Sequence, residues 1–255
     1  MTRLLVSVRN VAEAEIAAEA GVDLIDLKEP RLGSLGAVAP ETMADVLRCV
    51  NTRAPVSVAL GELLELQVDQ LERLPAGLAF AKVGLAGCVQ RSDWPARWQE
   101  FVRALPQATR PVAVAYADDD RAASPSADEV IAATASLGAA ALLVDTWKKD
   151  RGGLLDHWSS NHLIRVVAAA RDAGLFVVLG GSLDPKSIPE ALKTSPDFIA
   201  VRGAICDGSR VGDVNFDKIC GLIELIRRHS FRFRHAQTDD FFIRARMPSN
   251  LIDKC

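Results

Sequence analysis

The chain has 255 residues, with 30 Lys and Arg against 33 Asp and Glu, a formal net charge of −3, 49% hydrophobic residues and only 5% aromatics. That length suits one α/β barrel or two smaller domains, and it is enough to bury a full core. The slight acidity excludes a general attraction to nucleic acid or anionic membrane, both of which reward clustered Lys and Arg.

Short runs rich in Val, Ile and Leu alternate with longer amphipathic stretches in a repeating βα order. Strands are predicted over 3–8, 22–28, 55–59, 78–84, 111–116, 140–146, 175–180 and 197–202. Helices are predicted over 11–20, 40–50, 62–74, 93–104, 126–137, 159–173, 186–194 and 213–229. The strands are nearly continuous apolar runs, as parallel strands covered by helices on both sides require. Eight such units predict an α/β protein with a single (β/α)8 TIM barrel as catalytic domain over residues 1–229. A doubly wound open sheet is the alternative, but its Gly-rich fingerprint is missing after the first strand, where Ser7-Val8-Arg9-Asn10 stands. Residues 230–255 form a C-terminal extension that holds four of the nine Phe and has no clear period. It is expected to be disordered or to pack on a neighbouring copy in a homo-oligomer. A nucleic-acid arm of Arg and aromatics is the other reading, weakened by Asp239, Asp240 and Asp253.

The five Cys form no CxxC pair, which fits a reducing cytoplasm. The N-terminal residues meet charge too early for a signal peptide, and no uncharged apolar run approaches the ~20 residues of a membrane span. The four His lack zinc-motif spacing, so no metal is expected.

In a barrel of this kind the chemistry sits at the C-terminal ends of the strands, so charges there are the first to question. Strand 2 carries Asp26 and Lys28, two apart and therefore on one face, while Ile25 and Leu27 face the helices. Strand 4 carries Lys82 on the face shared by Phe80 and Gly84. Strand 6 ends in Asp145-Thr146, followed by Trp147-Lys148-Lys149-Asp150, and strand 8 ends in Arg202. All four strands are even-numbered, and layers inside an eight-stranded barrel come from alternate strands, so these groups are predicted to converge. The bland alternative is that each charge caps a strand and faces solvent. A charge inside an apolar strand costs several kcal/mol unless it is paired or used, which favours function for Asp26, Lys28 and Lys82. Tyr116-Ala117-Asp118 after strand 5 is a weaker candidate.

Burial and neighbouring cations lower the pKa of a Lys amine and make it nucleophilic toward a carbonyl carbon. Several lysines at one barrel mouth therefore point to Schiff-base chemistry, with a nearby carboxylate moving protons. Gly180-Gly181-Ser182 and Gly203-Ala204 follow strands 7 and 8, where barrels most often bind phosphate through backbone N–H groups. Arg202 stands beside them, and a helix starting after Ser182 is expected to add its dipole. The expected substrate is a small phosphorylated carbonyl compound.

Asp23-Leu-Ile-Asp26-Leu-Lys28-Glu-Pro30 with Gly33-Ser-Leu-Gly36 is the most specific of five blocks. The others are Ala81-Lys82-Val-Gly-Leu85, Val144-Asp145-Thr146 with Lys149-Asp150, Leu179-Gly-Gly-Ser-Leu183 and Val201-Arg202-Gly-Ala-Ile-Cys206. Together, over about residues 3 to 228, they resemble the (5-formylfuran-3-yl)methyl phosphate synthase family of methanofuran-type biosynthesis. The resemblance implies a (β/α)8 lyase that joins two glyceraldehyde 3-phosphate molecules into a furan bearing one phosphate, releasing the other phosphate and two waters, with no cofactor. By position it makes Lys28 the Schiff-base lysine and Lys82 a proton-transferring lysine, with Asp26, Asp145 and Lys149 as supporting charges. Lys148 lies next to Lys149, and the choice between them stays open. Triose phosphates are then the partners, with neither nucleic acid nor membrane. Two alternatives stand beside this reading: another Schiff-base sugar-phosphate aldolase, and a non-catalytic barrel that binds a phosphorylated metabolite.

Overall fold

In the computed structural model, which describes residues 1–230, eight parallel strands close into a barrel in chain order. The first half runs β1 (Arg3–Val8), α1 (Val11–Glu19), β2 (Leu24–Leu27), α2 (Pro40–Val50), β3 (Val56–Glu62), α3 (Val68–Glu72), β4 (Phe80–Gly84) and α4 (Trp94–Ala104). The second half runs β5 (Arg110–Tyr116), α5 (Asp119–Ala122), α6 (Ala127–Ala135), β6 (Ala141–Asp145), α7 (Leu154–His157), α8 (Ser160–Asp172), β7 (Phe176–Leu179), α9 (Ile188–Leu192), β8 (Phe198–Val201) and α10 (Phe216–Ser230). The chain is thus the (β/α)8 TIM barrel that the sequence predicts. The extension over residues 231–255, with the expectations attached to it, lies outside the described residues. Among the described residues no helix is long and apolar enough to cross a membrane.

Both faces of each strand are buried, and they feed two different cores. Leu5, Leu24, Phe80, Val112, Leu143 and Phe198 point into the barrel and fill its lower layers. Their chain neighbours, among them Val6, Ile25, Ala81, Ala113, Val144 and Ile199, point outward and pack under the helices. This strict alternation is what lets a charge on an interior position reach the barrel lumen instead of the helix layer.

Local chemistry starts and stops the elements. The Asn10 side chain accepts the Glu13 N–H at 3.0 Å and caps α1. Ser126 and Glu129 form a reciprocal capping box at α6. The expected helix over 62–74 is shorter, because β3 continues to Glu62 through Gly61 at φ +87° with a shift of register between Ala59 and Glu62. Leu63 N–H then bonds the Gly84 carbonyl at 2.8 Å, so residues 62–67 belong to the strand and its turn, and α3 starts only at Val68. Two single-turn helices, α5 and α7, occupy loops where none was expected.

Candidate active site

Asp26 sits in a layer of its own making. Ser7, Asp26 and Ser57 are register partners across β1, β2 and β3, and both serine hydroxyls donate to the carboxylate, at 3.2 and 2.6 Å. The Lys82 ammonium from β4 completes the set with a buried ion pair to the same carboxylate. Its register partner Ala59 on β3 is small, which leaves the lysine stem room to bend across the lumen.

One layer higher, Lys28 leaves the end of β2 and Asp145 leaves the end of β6, and Lys28 Nζ lies 4.0 Å from Asp145 Oδ2. The other oxygen, Oδ1, accepts the Lys149 ammonium at 2.5 Å and the Thr146 N–H at 2.8 Å. Lys149 also donates to the Thr146 carbonyl and hydroxyl at 2.7 and 2.8 Å. The loop that presents it is pinned from β5, because the Asp118 carboxylate accepts the Trp147 N–H at 2.6 Å and the Lys148 N–H at 3.0 Å. The Lys148 ammonium turns away and lies 4.0 Å over the Trp147 ring. Geometry thus places Lys149, and not Lys148, beside Asp145.

Three lysines therefore share one site, but they are held differently. Lys82 and Lys149 are hydrogen-bonded to carboxylates, whereas among the described residues the Lys28 ammonium has no hydrogen bond and only the longer contact to Asp145. Burial pushes the Lys28 amine down to about 8, helped by the Lys149 and Lys82 charges and opposed by Asp145 and Asp26. Burial pushes the Asp145 carboxyl up, but Lys149 and Lys28 outweigh it and hold it below the ordinary carboxylate range. A cavity opens over Asp26 and is lined by Lys28, Lys82, Asp145, Gly180, Gly181 and Arg202.

The β7 and β8 rim differs from expectation. The Gly180 N–H is consumed by the Val144 carbonyl at 2.8 Å, continuing the strand ladder. Gly181 at φ +80° and Ser182 at φ +58° take left-handed conformations, and among the described residues neither of their N–H groups has a partner. No helix starts after Ser182: the Asp184 carboxylate accepts the N–H groups of Lys186 and Ser187 in a side-chain-closed turn, and α9 waits until Ile188. The expected dipole at Ser182 is therefore absent.

Arg202 lines the cavity, yet its guanidinium is fully engaged within the fold. It forks onto Glu13 at 2.5 and 3.0 Å and donates to the carbonyls of Ser7, Arg210 and Gly212 at 3.1, 2.8 and 3.0 Å. All five guanidinium donors are used this way. Gly203 and Ala204 open a 3₁₀ turn directly after it. The loop that Arg202 braces carries Arg210, whose guanidinium makes a single hydrogen bond among the described residues, to the Gly33 carbonyl at 3.0 Å on the β2 side of the mouth. Arg210 is half-buried, and burial lowers its pKa while the nearby Asp145 charge opposes that shift.

A family model described as 4-HFC-P synthase matches residues 4–222. The chain belongs to the 4-HFC-P synthase family. It is 32% identical over 232 residues to the (5-formylfuran-3-yl)methyl phosphate synthase of Archaeoglobus fulgidus, covering 88% of this chain and 99% of the relative. It is 34% identical over 218 residues to the protein of that name from Methanopyrus kandleri, covering 80% and 90%. Among solved structures it resembles phosphoribosyl anthranilate isomerase from Thermotoga maritima, with a TM-score of 0.62, 13% identity, and 89% and 100% of the two chains covered. That likeness concerns the barrel alone.

Within this 4-HFC-P synthase family member, Asp26, Lys28, Lys82, Asp145 and Lys149 meet as the strand parity predicts, and Gly180 and Gly181 border the same cavity. Ser7 and Ser57 escaped the sequence reading because a lone Ser in a strand carries no signal until its register partner is known. Arg210 escaped it because it stands in a polar loop, eight residues beyond Arg202, with nothing in its spacing to mark it.

Proposed function

We propose that this protein condenses two molecules of glyceraldehyde 3-phosphate into (5-formylfuran-3-yl)methyl phosphate through an imine on Lys28, in the making of a methanofuran-type carrier. The observation that carries this reading is the contrast among the lysines: Lys28 is the buried amine without a hydrogen bond, with a pKa of about 8. A neutral amine of that kind attacks a carbonyl, and the resulting iminium draws electrons so that the adjacent carbon loses a proton and attacks a second carbonyl.

In this reading one triose phosphate isomerises to its ketone, with Lys82 and Asp26 moving the proton between neighbouring carbons. The ketone condenses with Lys28 and releases water. Asp145, poised between Lys28 and Lys149, stabilises the iminium and passes protons to and from Lys149. Carbon–carbon bond formation, loss of one phosphate and dehydration then close the aromatic ring, and hydrolysis of the imine frees Lys28. The balance is two triose phosphates in, and one furan phosphate, one inorganic phosphate and two waters out. No step requires a cofactor.

The phosphate is held on the β7 and β8 rim, by the N–H groups of Gly181, Ser182, Gly203 and Ala204. The cation beside them in this reading is Arg210, because Arg202 has no donor left to give. Arg202 instead braces the loop that presents Arg210.

Borohydride added with triose phosphate tests the proposal. A stable mass increment on Lys28, with accumulation of a strongly ultraviolet-absorbing furan aldehyde, is the expected result; full turnover with Lys28 unmodified overturns it. Trapping with aldol cleavage and no furan would mark a different Schiff-base aldolase. Binding without trapping or turnover would mark a non-catalytic barrel.

A further inference from the structure

The Lys28–Asp145 contact runs from β2 to β6 and leaves two sectors of the barrel mouth, one bounded by β7, β8 and β1 and the other by β3, β4 and β5. The second sector holds a group that the reaction above does not use. Tyr116, fully buried at the end of β5, donates its hydroxyl to Glu62 Oε1 at 2.6 Å, and the Ala86 N–H donates to Glu62 Oε2 at 2.9 Å. Tyr116 is the register partner of Asp145, so phenol and carboxylate stand side by side in one layer. Gly84 lies between β3 and β5, where a Cβ would overlap both Glu62 Oε2 and the Tyr116 hydroxyl. The strand thus makes room for this hydrogen bond by omitting a side chain.

Among the described residues no cation is paired with Glu62. The groups that act on its charge are the Tyr116 hydroxyl on β5, Glu65 in its own turn and Asp145 on β6, and Cys88 after β4 feels that charge in turn. Burial pushes the Glu62 carboxyl up, with Glu65 and Asp145 adding to the shift and the Tyr116 and Ala86 hydrogen bonds opposing it. The three lysines pair with Asp26 and Asp145, so among the described residues this wall has no ammonium paired to its carboxyl, which retains its proton more readily than an exposed one does.

We propose that Glu62 is a further catalytic acid–base residue, acting on the second triose during dehydration, with Tyr116 as its positioning residue. This deepens the condensation reading and rests on it. In each dehydration the Glu62 carboxyl gives its proton to the departing hydroxyl as the C–O bond breaks. The electron pair of the adjacent C–H bond becomes the C=C bond, and its proton passes to Asp145. Water leaves, and the proton returns from Asp145 to Glu62 through solvent, so the enzyme is restored.

The test uses the full chain with glyceraldehyde 3-phosphate and reads furan absorbance, borohydride trapping on Lys28 and product mass together. Glu62→Gln is expected to lower furan kcat by at least ~100-fold. Trapping on Lys28 and KM should stay within about threefold of wild type, and an unaromatised condensation product should accumulate. Glu62→Asp should recover part of the rate. Tyr116→Phe should move the pH midpoint assigned to Glu62 upward, since it removes a hydrogen bond that favours the carboxylate. Furan formed by Glu62→Gln at the wild-type rate overturns the proposal, as does loss of trapping in parallel with furan in a folded Glu62→Gln. A wild type that traps nothing overturns the condensation reading, and the role of Glu62 falls with it.

Discussion

Lys28 and Asp145 stand on opposite sides of the barrel, at the ends of β2 and β6, yet their charged atoms lie 4.0 Å apart. That distance is too long for a hydrogen bond and stands at the outer limit of an ion pair. It leaves the amine close enough to feel the carboxylate and free enough to react.

The first consequence is a pH profile. An amine with a pKa of about 8 instead of 10.5 holds roughly 300 times more neutral form at pH 7. The rate of borohydride trapping should rise through a midpoint near pH 8 and then level. Between pH 8 and 10.5 the unfolded chain binds more protons at this position, so stability rises with pH there, by up to about 3 kcal/mol. Lys28→Met should abolish trapping and flatten that rise, as read by denaturant unfolding at several pH values. Lys28→Arg keeps the charge but forms no imine, and should be inactive. A trapping rate unchanged from pH 6 to 10 would contradict this account.

Asp26 and Lys82 form a buried pair whose partners depend on each other. Lys82→Met strands a carboxylate among two serines, and should cost about 3 kcal/mol in chemical denaturation as well as activity. Adding Asp26→Asn should return much of that stability without restoring turnover, so the two changes will not be additive.

The two arginines of the β8 loop should separate cleanly. Arg210→Gln should raise KM for triose phosphate by 10- to 100-fold, on the order of 1.4 to 2.8 kcal/mol, while leaving the thermal midpoint unchanged and having little effect on unphosphorylated glyceraldehyde. Arg202→Gln leaves the buried Glu13 carboxylate short of a partner and should lower the thermal midpoint as well. Equal effects of Arg210→Gln on both substrates would remove Arg210 from the phosphate site.

Among the described residues Asp118 makes no hydrogen bond or ion pair to a lysine side chain, but it accepts two N–H groups of the loop that carries Lys149. Asp118→Ala should lower kcat by about tenfold, in the range of a lost buried acceptor, with trapping at Lys28 retained. Steady-state kinetics alongside the trapping assay distinguishes this from loss of the imine.

Much of this site is legible in the chain itself, and for a local reason. Alternation along a strand decides which side chains face the lumen, so Asp26 and Lys28 had to share a face, and Phe80, Lys82 and Gly84 another. Eight βα units set the even strands in common layers, which is why charges on β2, β4 and β6 could be expected to meet. Turn chemistry was harder to read: the Asp184 side chain closes a turn that delays α9, and Gly61 extends β3 beyond its apolar run.

Other features depend on closure of the barrel and on side-chain direction, neither of which leaves a periodic trace. Parity places Arg202 at the barrel end, but its guanidinium turns onto Glu13 of α1, a partner 189 residues away in sequence. Arg210 reaches Gly33 only because the loops after β2 and β8 meet across the mouth. Glu62 finds Tyr116 over a glycine on the strand between them, a contact set by stagger and by an absent Cβ. Composition and spacing determined which residues enter the lumen; three-dimensional closure decided which of them touch, because hydrogen bonds and ion pairs depend on ångström-scale distances that sequence separation does not encode.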